Sequence, residues 1–355
     1  MKHALTFISI CMLAACAETP KILYLDPAQR TAGTSLLVWP KEGEVPRYSY
    51  AGELTGEENF RVSPDHQRSM TVKVLSWIVG LVPGEADAPI ILQRPQGGAV
   101  DQQGRIYVSD VSRQAVFVFD PKAGEIHVWE WATESKRFHS PVGVAVREDG
   151  EVLIADSELG LVIRLSPDGT PRGAFGNGEL QRPTGLALNQ DSGLLYVTDT
   201  RANEIKIYDK QGRLIKRFGN AGDDAGQLNS PTYIAVSNGR IYVTDTLNAR
   251  IQVFDTEGQW LQEIGERGRY IGNLTRPKGI AVSSDGMIYV VESYYDYLLV
   301  FDREGQFLLP IGGSGSNPGK FMLPAGVWLD DQGRVYVSDM LNGRISVFQF
   351  LGADT

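Results

Sequence analysis

The sequence has 355 residues, of which 42% are hydrophobic, and a formal net charge of −9 at pH 7. Its length exceeds that of a usual single domain, and its 39 glycines indicate many tight turns. The negative charge argues against a broad basic surface, so we do not expect nucleic acid to be the main partner.

The chain begins like an exported protein. Lys2 and His3 precede an apolar run over residues 4–13, which is too short to span a bilayer, so we predict an export signal over residues 1–15. The signal ends in Leu-Ala-Ala-Cys at residues 13–16, which resembles the lipobox of bacterial lipoproteins. The resemblance implies cleavage before Cys16 and its lipidation. The alternative is an ordinary signal whose small residues happen to precede a cysteine.

The cysteine count agrees with lipidation. The sequence has 2 cysteines, and Cys11 lies within the signal, so the mature chain would keep Cys16 and could form no internal disulfide. By the same resemblance, Ala17 after the cysteine implies sorting to the outer membrane of a Gram-negative cell. We therefore expect a lipid-anchored envelope protein, periplasmic or surface-exposed, that contacts the membrane through its N-terminal lipid.

Residues 16–46 contain four prolines and mixed charges, which is typical of a tether, with one short strand expected at 35–39. Residues 47–59 are expected to hold a strand that completes the fold described below, although a plain linker is the alternative. Residues 60–90 form an insertion in which the spacing of apolar residues predicts a helix over 63–82. That helix either caps the folded domain or docks on a membrane or partner.

The rest of the sequence is repetitive, and residues 231–265 show the unit most clearly. Three short runs rich in Ile, Val, Tyr and Phe (residues 233–236, 241–244 and 251–254) are separated by turn residues, and a fourth run covers 260–264. β-Branched and aromatic clusters bounded by Gly, Asn and Asp predict an antiparallel, four-stranded meander.

The unit recurs six times. Its opening proline and the acid that closes its second strand recur in step, at Pro95/Asp110, Pro141/Asp156, Pro183/Asp199, Pro231/Asp245, Pro277/Glu292 and Pro324/Asp339. Subtraction of their numbers places the prolines 46, 42, 48, 46 and 47 residues apart. A period of about 45 residues with four strands per unit is typical of propeller blades.

These units resemble NHL repeats. The resemblance rests on the Pro-x-Gly opening, the strands IYVTD and VYVSD, and the Asp-x-x-Asn-x-Arg turn, which is complete at Asp245/Asn248/Arg250 and Asp339/Asn342/Arg344. It covers residues 91–350 and implies an all-β fold, a six-bladed β-propeller of four-stranded blades. The blades are expected at about 91–129, 137–175, 179–219, 227–265, 273–312 and 320–350.

The sixth repeat ends after its third strand. An open blade would leave an unpaired edge, so we expect residues 47–54 to supply the outer strand and close the ring.

The repeated acids have an expected structural role. Each stands where a turn begins, so its carboxylate can accept the N–H groups of that turn and pair with the arginine that follows. The expected pairs are Asp110 with Arg113, Asp245 with Arg250, and Asp339 with Arg344.

Glu292 departs from this pattern, because its turn contains Tyr294, Tyr295 and Tyr297 in place of polar residues. Turns after the second strand emerge on one propeller face, so these tyrosines, with Arg201 two blades earlier, form a candidate binding surface for a protein or polysaccharide. The alternative is that the tyrosines fold back onto neighbouring blades.

Metal and cofactor chemistry is not expected. The amidating-lyase relatives of the family use zinc and need several imidazoles, whereas this sequence has 4 histidines, spread along the chain. Lactonase-type propellers hold a divalent ion with inward Glu, Asn and Asp, yet the predicted channel strands contain no carboxylate. A calcium ion at Asp223 and Asp224 stays an open alternative.

We therefore predict a non-enzymatic binding scaffold on a lipid anchor, with no cofactor. The alternative is a propeller hydrolase or lyase with its site at the mouth of the channel.

Overall fold

The computed structural model describes residues 21–25, 37–40, 44–62 and 89–352. Six antiparallel sheets lie side by side, and the first strand of each contacts the first strands of the two neighbouring sheets, including sheet six against sheet one. The chain is therefore an all-β, six-bladed β-propeller, which confirms the predicted fold.

The strands of blades one to five, and the first three strands of blade six, run outward from the channel in chain order. The strands of blades one to three are Pro95–Val100, Ile106–Asp110, Ala115–Asp120 and Glu125–Trp129; Pro141–Val146, Val152–Asp156, Leu161–Leu165 and Pro171–Phe175; Pro183–Leu188, Leu195–Asp199, Glu204–Tyr208 and Leu214–Phe218. Those of blades four to six are Pro231–Ser237, Arg240–Asp245, Arg250–Asp255 and Trp260–Ile264; Pro277–Val282, Ile288–Glu292, Tyr297–Phe301 and Phe307–Gly312; Pro324–Leu329, Arg334–Asp339 and Arg344–Phe350.

The hydrophobic core lies between the blades. The second strand of each blade is buried on both faces, as Ile106–Asp110 shows, because each flat face packs against the next blade. One interface brings Tyr107 of blade one against Val144 and Ile154 of blade two. A blade exposes an apolar face when alone, so the blades are stable only as a closed ring.

The ring is closed by an N-terminal strand, as predicted. Tyr48–Leu54 pairs antiparallel with Arg344–Phe350 and becomes the fourth strand of blade six. Val38–Trp39 adds a fifth strand to that sheet, and the Trp39 ring lies 5.4 Å from that of Phe348.

Arg344 joins the two ends of the chain at this closure. Its Nη1 lies 2.8 Å from Glu53 Oε2 of the closing strand, and its Nε lies 2.8 Å from Asp339 Oδ2. The guanidinium also donates to two backbone oxygens, those of Asn317 and Lys320.

Pieces of the segment expected to be a tether pack on the propeller instead of linking freely. Lys21–Leu23 pairs with Phe60–Val62, so the predicted insertion begins as a strand. Glu57–Asn59, Thr246–Asn248 and Met340–Asn342 are short 3-10 helices. The helix predicted over 63–82 and the lipidation site Cys16 lie outside the described residues. Within those residues, no helix is long and apolar enough to cross a membrane.

We predict that Arg344→Gln lowers the free energy of unfolding by about 3–5 kcal/mol, because it leaves the buried Asp339 carboxylate without its cation. Urea titration followed by tryptophan fluorescence measures the change. The matched control is Arg303→Gln, since that side chain is 75% exposed and should cost less than about 0.5 kcal/mol. Equal costs in the two variants would contradict the role of Arg344 in closure.

Candidate functional site

The channel wall is built from glycine and aliphatic side chains, with a cavity volume of about 320 Å³. Five first strands carry glycine at their third position, namely Gly97, Gly143, Gly185, Gly279 and Gly326. A Cβ atom at any of these positions would lie 2.2–2.7 Å from the backbone of the next blade. The inner strands are therefore too close at this level to carry functional side chains.

Tyr233 takes the same position in blade four and crosses the channel. Its hydroxyl donates to the backbone oxygen of Gln96, in the opposite blade, over 3.3 Å. Burial raises the pKa of Tyr233, so the ring stays neutral. Tyr233 forms a floor across the channel, and a ligand entering from the end at which the first strands begin would stop there.

We call that end the upper mouth, because the first strands begin there and the second strands end there, as in the pair Pro277↔Glu292. The second residues of the first strands surround it: Gln96, Val142, Thr184, Thr232, Lys278 and Ala325. On two blades these residues bond to the turn after the second strand. Thr184 Oγ1 lies 2.7 Å from Thr200 Oγ1, and Thr232 Oγ1 lies 2.7 Å from Thr246 Oγ1.

Lys278 is the charged member of this set. Its side chain is half-buried, and burial followed by the positive charges of Arg276 and Arg94 lowers the pKa of its amine. Within the described part of the chain, no carboxylate lies within ion-pair distance of Lys278. A half-buried amine with two cationic neighbours and no paired acid makes Lys278 a candidate functional residue.

The recurring acids hold the upper mouth in shape. Glu292 accepts the backbone N–H groups of Thr275 and Arg276 from the connection before the blade, and that of Tyr294 from its own turn. The other five acids likewise accept N–H groups from the connection preceding their blade. Their carboxylates fasten a connection to a strand end, so their predicted structural role agrees with the geometry.

Two of the three predicted arginine pairs are present. Arg250 Nε lies 2.8 Å from Asp245 Oδ2, and Arg344 pairs with Asp339 in the same way. The pair Asp110–Arg113 was wrong: Arg113 donates its backbone N–H to the carboxylate at 3.0 Å, while its side chain is exposed. The third strand begins five residues after the acid in both blades, so Ala115 of blade one holds the position of Arg250, and Arg113 lies two residues earlier, within the turn.

The tyrosines predicted to bind a partner lie on the upper face. Tyr294 is 58% exposed, and its ring meets that of Tyr295 edge to face at 4.9 Å. Tyr297 is half-buried at the start of its strand and packs against the core between blades four and five. Arg201 is exposed in the corresponding turn of blade three, two blades away. The structure therefore brings Tyr294 and Tyr295 together and leaves Arg201 apart from them.

The described residues do not fit a metal ion in the channel. Its lining consists of Gly, Ala, Val, Leu and Ile with Tyr233 and Trp328, none of which is a ligand of the lactonase type. Across the described ranges there is no group of three or more His, Cys, Asp or Glu side chains placed to hold a metal. His139 lies on the upper face with its Nδ1 3.9 Å from Glu158, and His127 lies on an outer strand.

The opposite end of the channel opens into a cavity of about 900 Å³. Its charged groups are largely paired with one another. Asp101 Oδ2 lies 2.7 Å from Arg105 Nε and accepts the Tyr107 hydroxyl at 3.0 Å, and Arg147 Nε lies 3.0 Å from Glu151. These pairs brace the turns between first and second strands, and the cavity is lined by charges of both signs, among them Lys122, Glu148 and Asp331.

Sequence reasoning missed Lys278 and Tyr233. It considered the predicted channel strands for carboxylates, whereas the mouth is formed by the second residue of each first strand. The available signal was the substitution of Lys278 where the other repeats have Gln, Val, Thr, Thr and Ala.

Comparisons with known proteins agree with this architecture. A family described as a 6-bladed beta-propeller matches residues 223–283 and 271–354, and the NHL repeat matches residues 92–119 and 180–208. A gluconolactonase from Zymomonas mobilis is 31% identical over 159 residues, which cover 38% of this chain and 44% of that protein. The chain spans less than half the length of the curated relatives it matches.

Two solved structures show the same fold. Virginiamycin B lyase from Staphylococcus aureus has a TM-score of 0.54 at 15% identity, over 73% of this chain and 96% of that one. A gluconolactonase from Xanthomonas campestris has a TM-score of 0.56 at 18% identity, over 75% of this chain and 90% of that one.

These matches correct the prediction that the chain is not an enzyme. The sequence similarity to a gluconolactonase contradicts it. The prediction rested on the absence of ionisable side chains along the channel wall, and it overlooked the mouth, where Lys278 lies.

The recurring acids, the ring of four-stranded blades and both family matches lead to one assignment. The chain is a six-bladed β-propeller protein that contains NHL repeats.

Proposed function

We propose that this protein is a propeller hydrolase or lyase whose site is the upper mouth of the channel. The observation that carries the proposal is Lys278, a half-buried amine with a lowered pKa at the second position of a first strand, on the end of the channel that Tyr233 crosses. The sequence similarity to a gluconolactonase supports cleavage of an ester or lactone bond.

The chemistry follows from the groups at the mouth. Neutral Lys278 accepts a proton from the attacking water, whose oxygen bonds to the acyl carbon, while the acyl–oxygen bond breaks and the leaving oxygen takes up a proton. In the lyase version the amine takes a proton from the carbon next to the one that bears the leaving oxygen, the carbon–oxygen bond breaks as a carbon–carbon double bond forms, and the leaving oxygen takes up the proton. Arg276 and Arg94 stabilise the oxyanion that develops on the carbonyl oxygen. Tyr294 and Tyr295 offer a flat rim to the sugar or peptide portion of the substrate.

Activity is expected against aldonolactones such as glucono-δ-lactone, measured as acid release in a pH-stat with the uncatalysed rate subtracted. The Lys278→Met variant should lose at least about a hundredfold in kcat/KM, since a positioned general base contributes about that much. Lys122→Met, an exposed lysine far from the upper mouth, is the matched control and should retain wild-type activity.

The pH profile tests the role of the amine. A base must be neutral to accept a proton, so kcat/KM should rise with pH up to the pKa of Lys278, which lies below the ordinary 10.5. The Lys278→Met variant should show a flat profile. Turnover that is insensitive to this substitution, or no turnover of any lactone or ester in the panel, would refute the proposed site.

We also propose that the enzyme is lipid-anchored in the cell envelope, at the outer membrane, through Cys16. The support is the sequence at residues 13–16, where small residues precede the cysteine after an apolar run. An anchor of several acyl chains would hold the domain at the membrane surface.

Metabolic labelling with an alkyne fatty acid tests the anchor. We expect labelled protein in the membrane fraction of a Gram-negative host, and loss of label in Cys16→Ala. The control is Cys11→Ala, which lies in the apolar part of the signal and should keep the label. Equal labelling of the two variants would contradict lipidation at Cys16.

A further inference from the structure

The geometry points to a carboxylate-binding site at the upper mouth, formed by Arg94, Arg276 and Lys278. This inference deepens the proposed function and rests on it for one step: the substrate or product of the enzyme is a small polyhydroxylated acid. The site itself is inferred from charge and contacts alone.

The first observation is a cluster of unbalanced positive charge on an acidic protein. The chain has a net charge of −9, yet the charged side chains that act electrostatically on the Lys278 amine are Arg276 and Arg94, which are both positive. Clustered cations repel one another, and a fold retains such a cluster at a cost unless an anion neutralises it.

The acid nearest to this cluster does not neutralise it. The charge of Arg276 acts on Glu292, but the Glu292 oxygens are bonded to backbone N–H groups, including that of Arg276 itself at 3.0 Å. Burial, the largest effect on Glu292, raises its pKa. The Glu292 carboxylate therefore accepts hydrogen bonds from the backbone and is not paired with a side chain of the cluster.

The second observation is the arrangement of side chains around blade six. The second residue of that blade is Ala325, which is the smallest of the six and is fully covered by its neighbours. Arg94 leans toward this blade, with its Nη2 4.0 Å from Met340 Sδ, and Gln96 Nε2 lies 2.9 Å from the same sulfur. Lys278 stands on the other side of blade six, in blade five. A small side chain thus separates cations from two flanking blades.

The third observation is an unpartnered hydroxyl in the turn after the second strand of blade five, the blade that carries Lys278. Ser293 is 1% exposed, and its Oγ has no hydrogen-bond partner among the described residues. In blade four the equivalent Thr246 bonds to Thr232, which is the residue that Lys278 replaces in blade five. A buried hydroxyl without a partner is costly, and an acceptor oxygen of a ligand would satisfy it.

These groups suit a carboxylate with neighbouring hydroxyls. Arginine forks match the two oxygens of a carboxylate, and Lys278 adds a point charge. Thr200, Thr246 and Gln96 add polar atoms on the same face of the ring. The two threonine hydroxyls donate to the backbone oxygens of Pro231 and Pro277, so toward a sugar acid they would act as acceptors. The Tyr233 floor limits the ligand to a small molecule held at the mouth.

Calorimetric titration with gluconate and with sorbitol tests the charge requirement, since the two probes share a polyhydroxylated chain and differ in the carboxylate. We expect gluconate to bind and sorbitol to bind at least about tenfold more weakly, because charge-assisted hydrogen bonds are roughly twice as strong as neutral ones. Acetate is titrated as a carboxylate without hydroxyls. Equal affinity for gluconate and sorbitol, or binding of neither gluconate nor acetate, would overturn the inference.

Variants assign the binding to the cluster. Arg94→Gln, Arg276→Gln and Lys278→Met should each weaken gluconate binding by about tenfold or more. Arg182→Gln is the matched control, because Arg182 precedes the opening proline of blade three just as Arg94 and Arg276 precede theirs. A loss in Arg182→Gln as large as in the other arginine variants would contradict the site.

A stability measurement keeps the test independent of the ligand. The lowered pKa means that folding disfavours charged Lys278, so Lys278→Met should raise stability at pH 7 and low salt. The gain should begin to fall as pH rises through the lowered pKa and should vanish above the ordinary 10.5, where Lys278 is neutral in the folded and the unfolded chain alike. A lysine with a structural ion pair would give the opposite sign. Because binding and stability are measured without turnover, they can succeed where the activity assay fails, and the reverse.

Discussion

The close approach of six inner strands around one axis is the constraint on which the rest of this structure depends. At Gly143 and Gly326 an added Cβ would lie 2.2 Å from a backbone oxygen of the next blade. Contacts this short leave room only for the hydrogen atom of glycine. This level of the wall therefore carries almost no functional side chains. Functional groups must therefore stand where the strands diverge, at the mouths.

The charged side chains at the two ends of the channel differ in their partners. At the lower end Asp101, Arg105 and Tyr107 satisfy one another and brace a turn. At the upper end the acids are fastened to backbone N–H groups, which leaves Lys278 with arginines as its charged neighbours. Oppositely charged pairs stabilise the fold, whereas a cluster of positive side chains is stabilised by an anionic ligand. We therefore place the ligand site at the upper mouth.

The fold could be predicted because each of the six repeats has the same requirements for packing and hydrogen bonding. The acids at Asp110 to Asp339 recur because each blade must fasten its second strand to the preceding connection. Closure by Tyr48–Leu54 could be predicted because the sixth unit lacks an outer strand, and an open edge is unfavourable.

The site was harder to predict, because function lies where one repeat departs from the others. Tyr294 was identified as such a departure, yet Lys278, one strand earlier in the same blade, was not, since its role appears only once neighbouring blades are placed. Arg94 and Lys278 are far apart in sequence and become neighbours across blade six only when the ring closes.

A crystal structure of the protein with gluconate would test the central claim most directly. The account predicts the carboxylate within hydrogen-bonding distance of Lys278 and at least one of Arg94 and Arg276, above the Tyr233 ring. Gluconate bound instead in the lower cavity, or an upper mouth empty at saturating gluconate, would contradict it.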